Sequence, residues 1–311
     1  MNKRTSFAGL GLALALGLST AACAQESSSE KEEREPASFP ETEIFLFDIN
    51  LAAEGDVLSK GKNVTSRPGY DNQPFFTKDS ESFLYSRDDG YQTDVYEYII
   101  ASDKTVQITE SDNTEFSPTP FPDNKSLAFV TDRSNSIYFA GRDNANAPEW
   151  ALKASGITEP VGYFAWNHNT GDILYWSQYG ANVTLTHAER PEYHYVSGDA
   201  VPSTPHIIPG TDEFSFVHRQ GNSQVWIKAL NPDTKAVRPL TPIVGHNANY
   251  SWTPDGAILM IEGTVLHRWT EDSETGWEEV SDLSAHGLKS ANRVAISPDA
   301  SRLAIVGLPQ D

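Results

Sequence analysis

The residues able to do chemistry are scattered along this chain. Eight histidines occur, at positions 168, 187, 194, 206, 218, 246, 267 and 286. None forms an H-x-x-x-H or other close pair of the kind that gives one metal two ligands from one element. A nucleophilic serine would call for a G-x-S-x-G elbow and a hydrolase domain around it, and the sequence holds neither. Asp88-Asp89-Gly90 and Asp112-Asn113 do not fit the spacing of a calcium-binding loop and read as turns. Any catalytic constellation would have to be assembled from distant positions. Asp71, Asn72, Glu115, His206 and Asn249 offer the acid and ligand groups for metal-assisted hydrolysis, as in a lactonase. Left unassembled, they are solvated side chains and the chain is no enzyme. No cofactor and no preformed metal site follow from the residues.

What could bring distant positions together is a repeat. Turn-like tetrapeptides recur at Thr77-Lys78-Asp79-Ser80, Phe121-Pro122-Asp123-Asn124, Thr253-Pro254-Asp255-Gly256 and Ser297-Pro298-Asp299-Ala300. Asp79 and Asp123 are 44 residues apart, as are Asp255 and Asp299. The interval between Asp123 and Asp255 is three such steps. It contains two diverged copies, near Asn167-His168-Asn169-Thr170-Gly171 and Pro209-Gly210-Thr211-Asp212.

Each turn is followed by a continuous apolar run: Ser82–Ser86, Ser126–Val130, Asp172–Trp176, Glu213–Val217, Ala257–Ile261 and Arg302–Val306. Such runs suit strands buried on both faces. Alternating runs come next, as in Asp94–Ile99 and Gln224–Leu230, and a polar strand ends the unit, as in Thr105–Thr109. Four short antiparallel strands repeated every 40–50 residues make a propeller blade. An open row of blades would leave apolar faces at both ends, and closing the ring buries them.

Five full repeats run from about Gly69 to Leu283. The C-terminus then supplies two strands, Arg293–Ile296 and Arg302–Val306. The N-terminus supplies the missing third and fourth, Glu43–Asp48 and Gly61–Thr65. The predicted fold is therefore all-β: a six-bladed β-propeller over residues 42–311, its last blade closed by N- and C-terminal strands.

In such a ring the residues entering each innermost strand line the central channel at one rim. Counting six back from the turn acid gives Gln73, Ser117, Tyr163, Asn249 and Arg293. The fourth-blade match is Pro205-His206, and the neighbours are Tyr70, Asp71, Asn72 and Glu115. This set is polar and differs from blade to blade, which suits a small polar ligand or a peptide end. It equally suits a water-filled channel. Trp150, Trp226, Trp269 and Trp277 fall toward outer strands and are expected to pack between blades.

The two Pro-Asp turns with their following strands resemble the S-P-D-G-x-x-[IL]-[AV]-[FY] repeat of the TolB propeller family. The resemblance spans nearly all of Glu43 to Val306. It implies the propeller fold and, for function, binding of a protein, peptide or small polar ligand in the cell envelope. Only a leader and a tether stand before Glu43, so the chain reads as a stand-alone propeller without the family's N-terminal α/β domain. Involvement in the Tol–Pal system stays open. The Gly-His and Trp-Asp signatures of WD repeats and the Ser-x-Asp-x-Gly-x-x-Trp box of sialidases are missing.

The first residues read as an export signal. Lys3 and Arg4 precede an apolar run from Phe7 to Leu18, too short to span a bilayer. Cys23 is the chain's single cysteine, so no internal disulfide is available. Thr20-Ala21-Ala22-Cys23 resembles a lipobox, which would make Cys23 the lipidated mature N-terminus. Ala22-Cys23-Ala24 also reads as an ordinary cleavage site. Residues 24–41 are Ser-, Glu- and Pro-rich and are expected to form an acidic tether. The expected location is the periplasm of a Gram-negative bacterium, at the outer membrane if Cys23 is acylated, with the protein a monomer. A net charge of -20 repels nucleic acid and anionic lipid, so membrane contact is expected only through that anchor.

Overall fold

The computed structural model describes residues 39–53, 55–59, 61–132 and 134–310. The signal segment, Cys23 and positions 24–38 of the expected tether lie outside the described residues.

Six four-stranded antiparallel sheets are arranged in a ring. The chain enters with β1 (Glu43–Asp48) and β2 (Lys62–Asn63). The first complete blade is β3 (Asp71–Phe76), β4 (Ser82–Asp88), β5 (Thr93–Ile99) and β6 (Lys104–Gln107). The second is β7 (Glu115–Pro120), β8 (Ser126–Thr131), β9 (Ser136–Gly141) and β10 (Glu149–Trp150). The third is β11 (Val161–Trp166), β12 (Asp172–Ser177), β13 (Asn182–His187) and β14 (Tyr193–Ser197). The fourth is β15 (His206–Ile207), β16 (Phe214–Arg219), β17 (Val225–Leu230) and β18 (Val237–Pro242). The fifth is β19 (Tyr250–Trp252), β20 (Ile258–Glu262), β21 (Val265–Trp269) and β22 (Glu278–Asp282). The chain ends in β23 (Leu288–Ile296) and β24 (Arg302–Pro309).

The closing blade has the order β2-β1-β24-β23. Glu43 to Asp48 pair residue by residue with Gly307 to Arg302, so the N-terminal strand zips along the C-terminal one. Its fully buried Ile44 packs with Phe76 and Phe83 of the first blade and with Val306. The six-blade count and the composite blade thus agree with the repeat arithmetic. A bulge in β23 brings its backbone so near β24 that a Cβ at Gly307 would collide with the Ser290 carbonyl oxygen. Only glycine fits there.

The second strands carry most of the core because neighbouring blades cover both their faces. Leu84, Leu127, Ile173, Leu174, Phe214, Ile258, Leu259 and Leu303 are 0% exposed. Successive blades are also stitched by polar bonds at the repeat interval. Lys78 N donates to Asn124 Oδ1 at 2.9 Å. Arg142 Nη1 pairs with Glu97 Oε1 at 2.6 Å, and Asn167 Nδ2 donates to Asp212 Oδ1 at 2.9 Å. Ser203 Oγ donates to the Ala248 carbonyl at 2.7 Å. Trp150 packs in the cluster between the second and third blades. Trp269 and Trp277 pack between the fourth and fifth.

Candidate axial binding site

The first two innermost strands are not regular. In β3 the pairing with β4 slips between Asn72 and Phe75, and in β7 the pairing with β8 slips between Phe116 and Thr119. At the two slips Gln73 and Ser117 have φ of 58° and 53°, a region that non-glycine residues enter only with strain. A proline follows each, so the bulge forms where the ladder would lose a donor in any case. Gln73 Oε1 rewards this geometry by accepting from Ser117 N at 2.7 Å and from Ser86 Oγ at 3.0 Å. The first two blades are thereby locked together at the channel rim.

A cavity of about 510 Å³ occupies the axis. All six innermost strands contribute to it: Gln73–Phe76, Ser117–Thr119, Phe164–Trp166, His206–Ile207, Tyr250–Trp252 and Arg293–Ile296. Five of the rim positions identified from the repeat, Gln73, Ser117, His206, Asn249 and Arg293, line this cavity. Tyr163 is not among the lining residues; its ring centroid lies 5.7 Å from the Arg293 guanidinium carbon. Arg293 Nη1 donates to Thr204 Oγ1 at 3.3 Å. The His206 ring stands edge-on to Tyr250 at 4.6 Å. Burial, helped by the nearby positive charge of Arg293, drives the His206 pKa down to about 4, so the imidazole is neutral at physiological pH. Asn249 Nδ2 donates to the Asn292 carbonyl at 2.9 Å, tying the fifth blade to the closing one.

Asp71, Asn72 and Glu115 do not line the cavity. They precede the bulges and turn into the blade interfaces. Asp71, 0% exposed, accepts from Arg67 Nη1 at 3.0 Å through Oδ2, while its buried Oδ1 has no partner. Burial lifts its pKa to about 6 against the pull of Arg67. Asn72 Oδ1 accepts from Gln73 N at 2.7 Å. Glu115 accepts from Ser111 Oγ and, at 3.1 Å, from Thr109 Oγ1. It also interacts with the carboxyl group of Asp94 on β5. Burial, opposed by the Ser111 bond and reinforced by Asp94, holds the Glu115 pKa far above the usual carboxylate range. The two carboxyl groups face each other in the first interblade seam, and each one's charge disfavours ionisation of the other. Among the described residues no three His, Cys, Asp or Glu side chains are placed to hold a metal ion.

One cluster has the composition of a hydrolytic triad without its geometry. His286 Nε2 lies 2.6 Å from Asp56 Oδ2 and 3.4 Å from Ser281 Oγ, while Ser281 Oγ donates to Asp56 Oδ1 at 2.8 Å. Serine and aspartate address the same ring nitrogen, so the relay through both nitrogens cannot operate. The cluster fastens the loop after β1 to the fifth blade.

Repeat counting had no means of finding two features. Phe39, inside the expected tether, lies with its ring 5.4 Å from Tyr70 and edge-on to Phe116 at 5.7 Å. Thr204, which bonds Arg293, sits in a connection that carries no motif.

No family model matches the chain, and no curated protein matches it. Solved structures do. A putative TolB from Agrobacterium tumefaciens superposes with a TM-score of 0.66 at 14% identity, covering 87% of this chain and 99% of that one. TolB from Acinetobacter baumannii gives 0.55 at 15% identity, over 89% of this chain and 66% of the other. A chain of a nidogen/laminin complex gives 0.55 at 10% identity, over 87% and 100%. The chain has the TolB-like six-bladed propeller fold.

Proposed function

We propose that the chain is a non-catalytic binding module of the bacterial cell envelope that receives its ligand in the axial cavity. The observation that carries this reading is the cavity itself. All six innermost strands converge on one chamber whose rim differs from blade to blade. The volume lies within the range of small-molecule sites, and an apolar wall with a few convergent polar groups is their usual make-up. The two acids that could have served hydrolysis, Asp71 and Glu115, are spent on Arg67 and Asp94 instead. That weighs against a metal-dependent hydrolase or lactonase at the axis, the second reading. The neighbour from a nidogen/laminin complex gives one chain of this fold that is part of a protein complex.

Export to the periplasm rests on the leader-like first residues, and anchoring at the outer membrane rests on Cys23. Palmitate labelling of the full chain, lost on Cys23→Ala, tests the anchor.

The binding reading is tested by a thermal-shift and tryptophan-emission panel of small acids, amines, sugars and short peptides. The control is Thr119→Trp, which plugs the cavity from β7. Saturable binding that vanishes in the plugged variant is the expected result. Hydrolysis of a lactone or ester panel that depends on added calcium, manganese or zinc would overturn it.

A further inference from the structure

The axial cavity is free of acidic side chains in an acidic molecule. The chain carries 43 Asp and Glu against 23 Lys and Arg. Yet no Asp or Glu lines the cavity, whereas Arg293 and Lys78 do. The turn acids next in sequence to lining residues are folded away from it. Asp79 Oδ1 accepts from Thr77 Oγ1 at 2.6 Å, Asp299 Oδ1 from Ser297 Oγ at 2.6 Å, and Asp255 Oδ1 from Thr253 Oγ1.

Arg293 is set apart from most arginines of the chain. Arg67, Arg142, Arg190, Arg238, Arg268 and Arg302 each pair with a carboxylate. Among the described residues Arg293 pairs with none. One Nη1 bond to Thr204 uses a single donor of its five-donor fork. The guanidinium lies between Thr204 and the Tyr163 ring, and Arg293 lines the chamber. A planar fork of this kind matches a carboxylate through two parallel bonds. The same chamber is walled by Phe75, Trp166 and Trp252, and Phe75 keeps 37% of its surface exposed. The Trp252 indole N–H is already satisfied by Ser215 Oγ at 2.8 Å, so that residue offers the cavity an apolar surface.

We propose that the axial cavity binds a small carboxylic acid with a flat apolar body, the carboxylate on Arg293 and the body against Phe75, Trp166 and Trp252. The proposal rests on the binding-module reading above and adds the chemical class of its ligand. Neutral His206 beside Arg293 contributes no charge, so Arg293 and the exposed Lys78 are the two cations of the lining.

Isothermal titration of the full chain with 3-phenylpropionate, its primary amide and inorganic phosphate tests it. The acid binds saturably, the amide at least tenfold more weakly, and phosphate does not displace the acid. Arg293→Met weakens the acid at least tenfold and leaves the amide unchanged, while Phe75→Ala weakens both. Arg293→Lys keeps the charge but not the fork, and weakens the acid severalfold whether or not the Met variant folds. Acid and amide binding equally would overturn the carboxylate assignment while leaving a binding module in place. Phosphate competing as strongly as the acid, or neither acid nor amide binding, would also overturn it. The plugged-cavity panel decides the broader reading separately.

Discussion

The guanidinium carbon of Arg293 lies 5.7 Å from the ring centroid of Tyr163, although the two residues belong to blades on opposite sides of the ring. The closing blade and the third blade are three steps apart in a ring of six, so this contact spans the channel. A cation over an aromatic face contributes about 0.5–1 kcal/mol at an exposed site and more when desolvated. Tyr163→Phe, which keeps the ring, should leave 3-phenylpropionate affinity unchanged. Tyr163→Leu should weaken it about twofold to fivefold by freeing the guanidinium. Titration calorimetry on the two variants checks this.

Ser117 combines a φ of 53° with a buried hydroxyl that has no partner. Ser117→Gly relieves the backbone strain and removes the orphaned hydroxyl, yet keeps the amide that donates to Gln73 Oε1. Against this stands the larger chain entropy of glycine when unfolded. The net expectation is a gain of about 1 kcal/mol, read from urea denaturation midpoints. An unchanged or lower midpoint would mean that the bulge is not strained.

The repeat was readable because a blade needs the same turn, apolar strand and alternating strand every time, and those needs survive as spacing. The interval of 44 between Asp79 and Asp123, and the two strands missing at the C-terminus, were enough to expect the composite blade. Which rim residues face the axis was readable only in part. Bulges at Gln73 and Ser117 rotate the chain there, so Asp71 and Glu115 go to interblade seams and not to the channel. A local kink of one residue leaves no mark on the repeat period. Nor does spacing reveal that Arg293 reaches Thr204, 89 positions earlier.

The Glu115–Asp94 pair gives stability a pH dependence of definite sign. Its folded pKa is raised above the ordinary 4.5 of glutamate. Its contribution is therefore full below pH 4.5. It declines as pH rises from there through the raised folded value, because the unfolded chain releases the proton first. The slope is at most about 1.4 kcal/mol per pH unit for one proton. Glu115→Gln should thus gain on the parent between pH 5 and pH 8. Thermal melts of both proteins at several pH values check this, and a constant difference would contradict the raised Glu115 pKa.

Ring closure depends on the N-terminal strand. Ile44, 0% exposed, pairs with Val306 and packs on Phe76 and Phe83. Ile44→Ala leaves a cavity at the junction of the closing and first blades and should cost about 2–5 kcal/mol. Denaturant unfolding measures the loss. A cost below about 0.5 kcal/mol, the size of a typical surface change, would show that the closing blade carries little of the stability.

The most direct test of the central claim is where a bound acid sits. Intermolecular nuclear Overhauser effects between the ring protons of 3-phenylpropionate and the indole protons of Trp166 and Trp252 would place it on the axis. These signals are expected in the parent chain and are lost in Arg293→Met. Contacts confined to the exposed outer tyrosines Tyr179, Tyr193 and Tyr195 would contradict it.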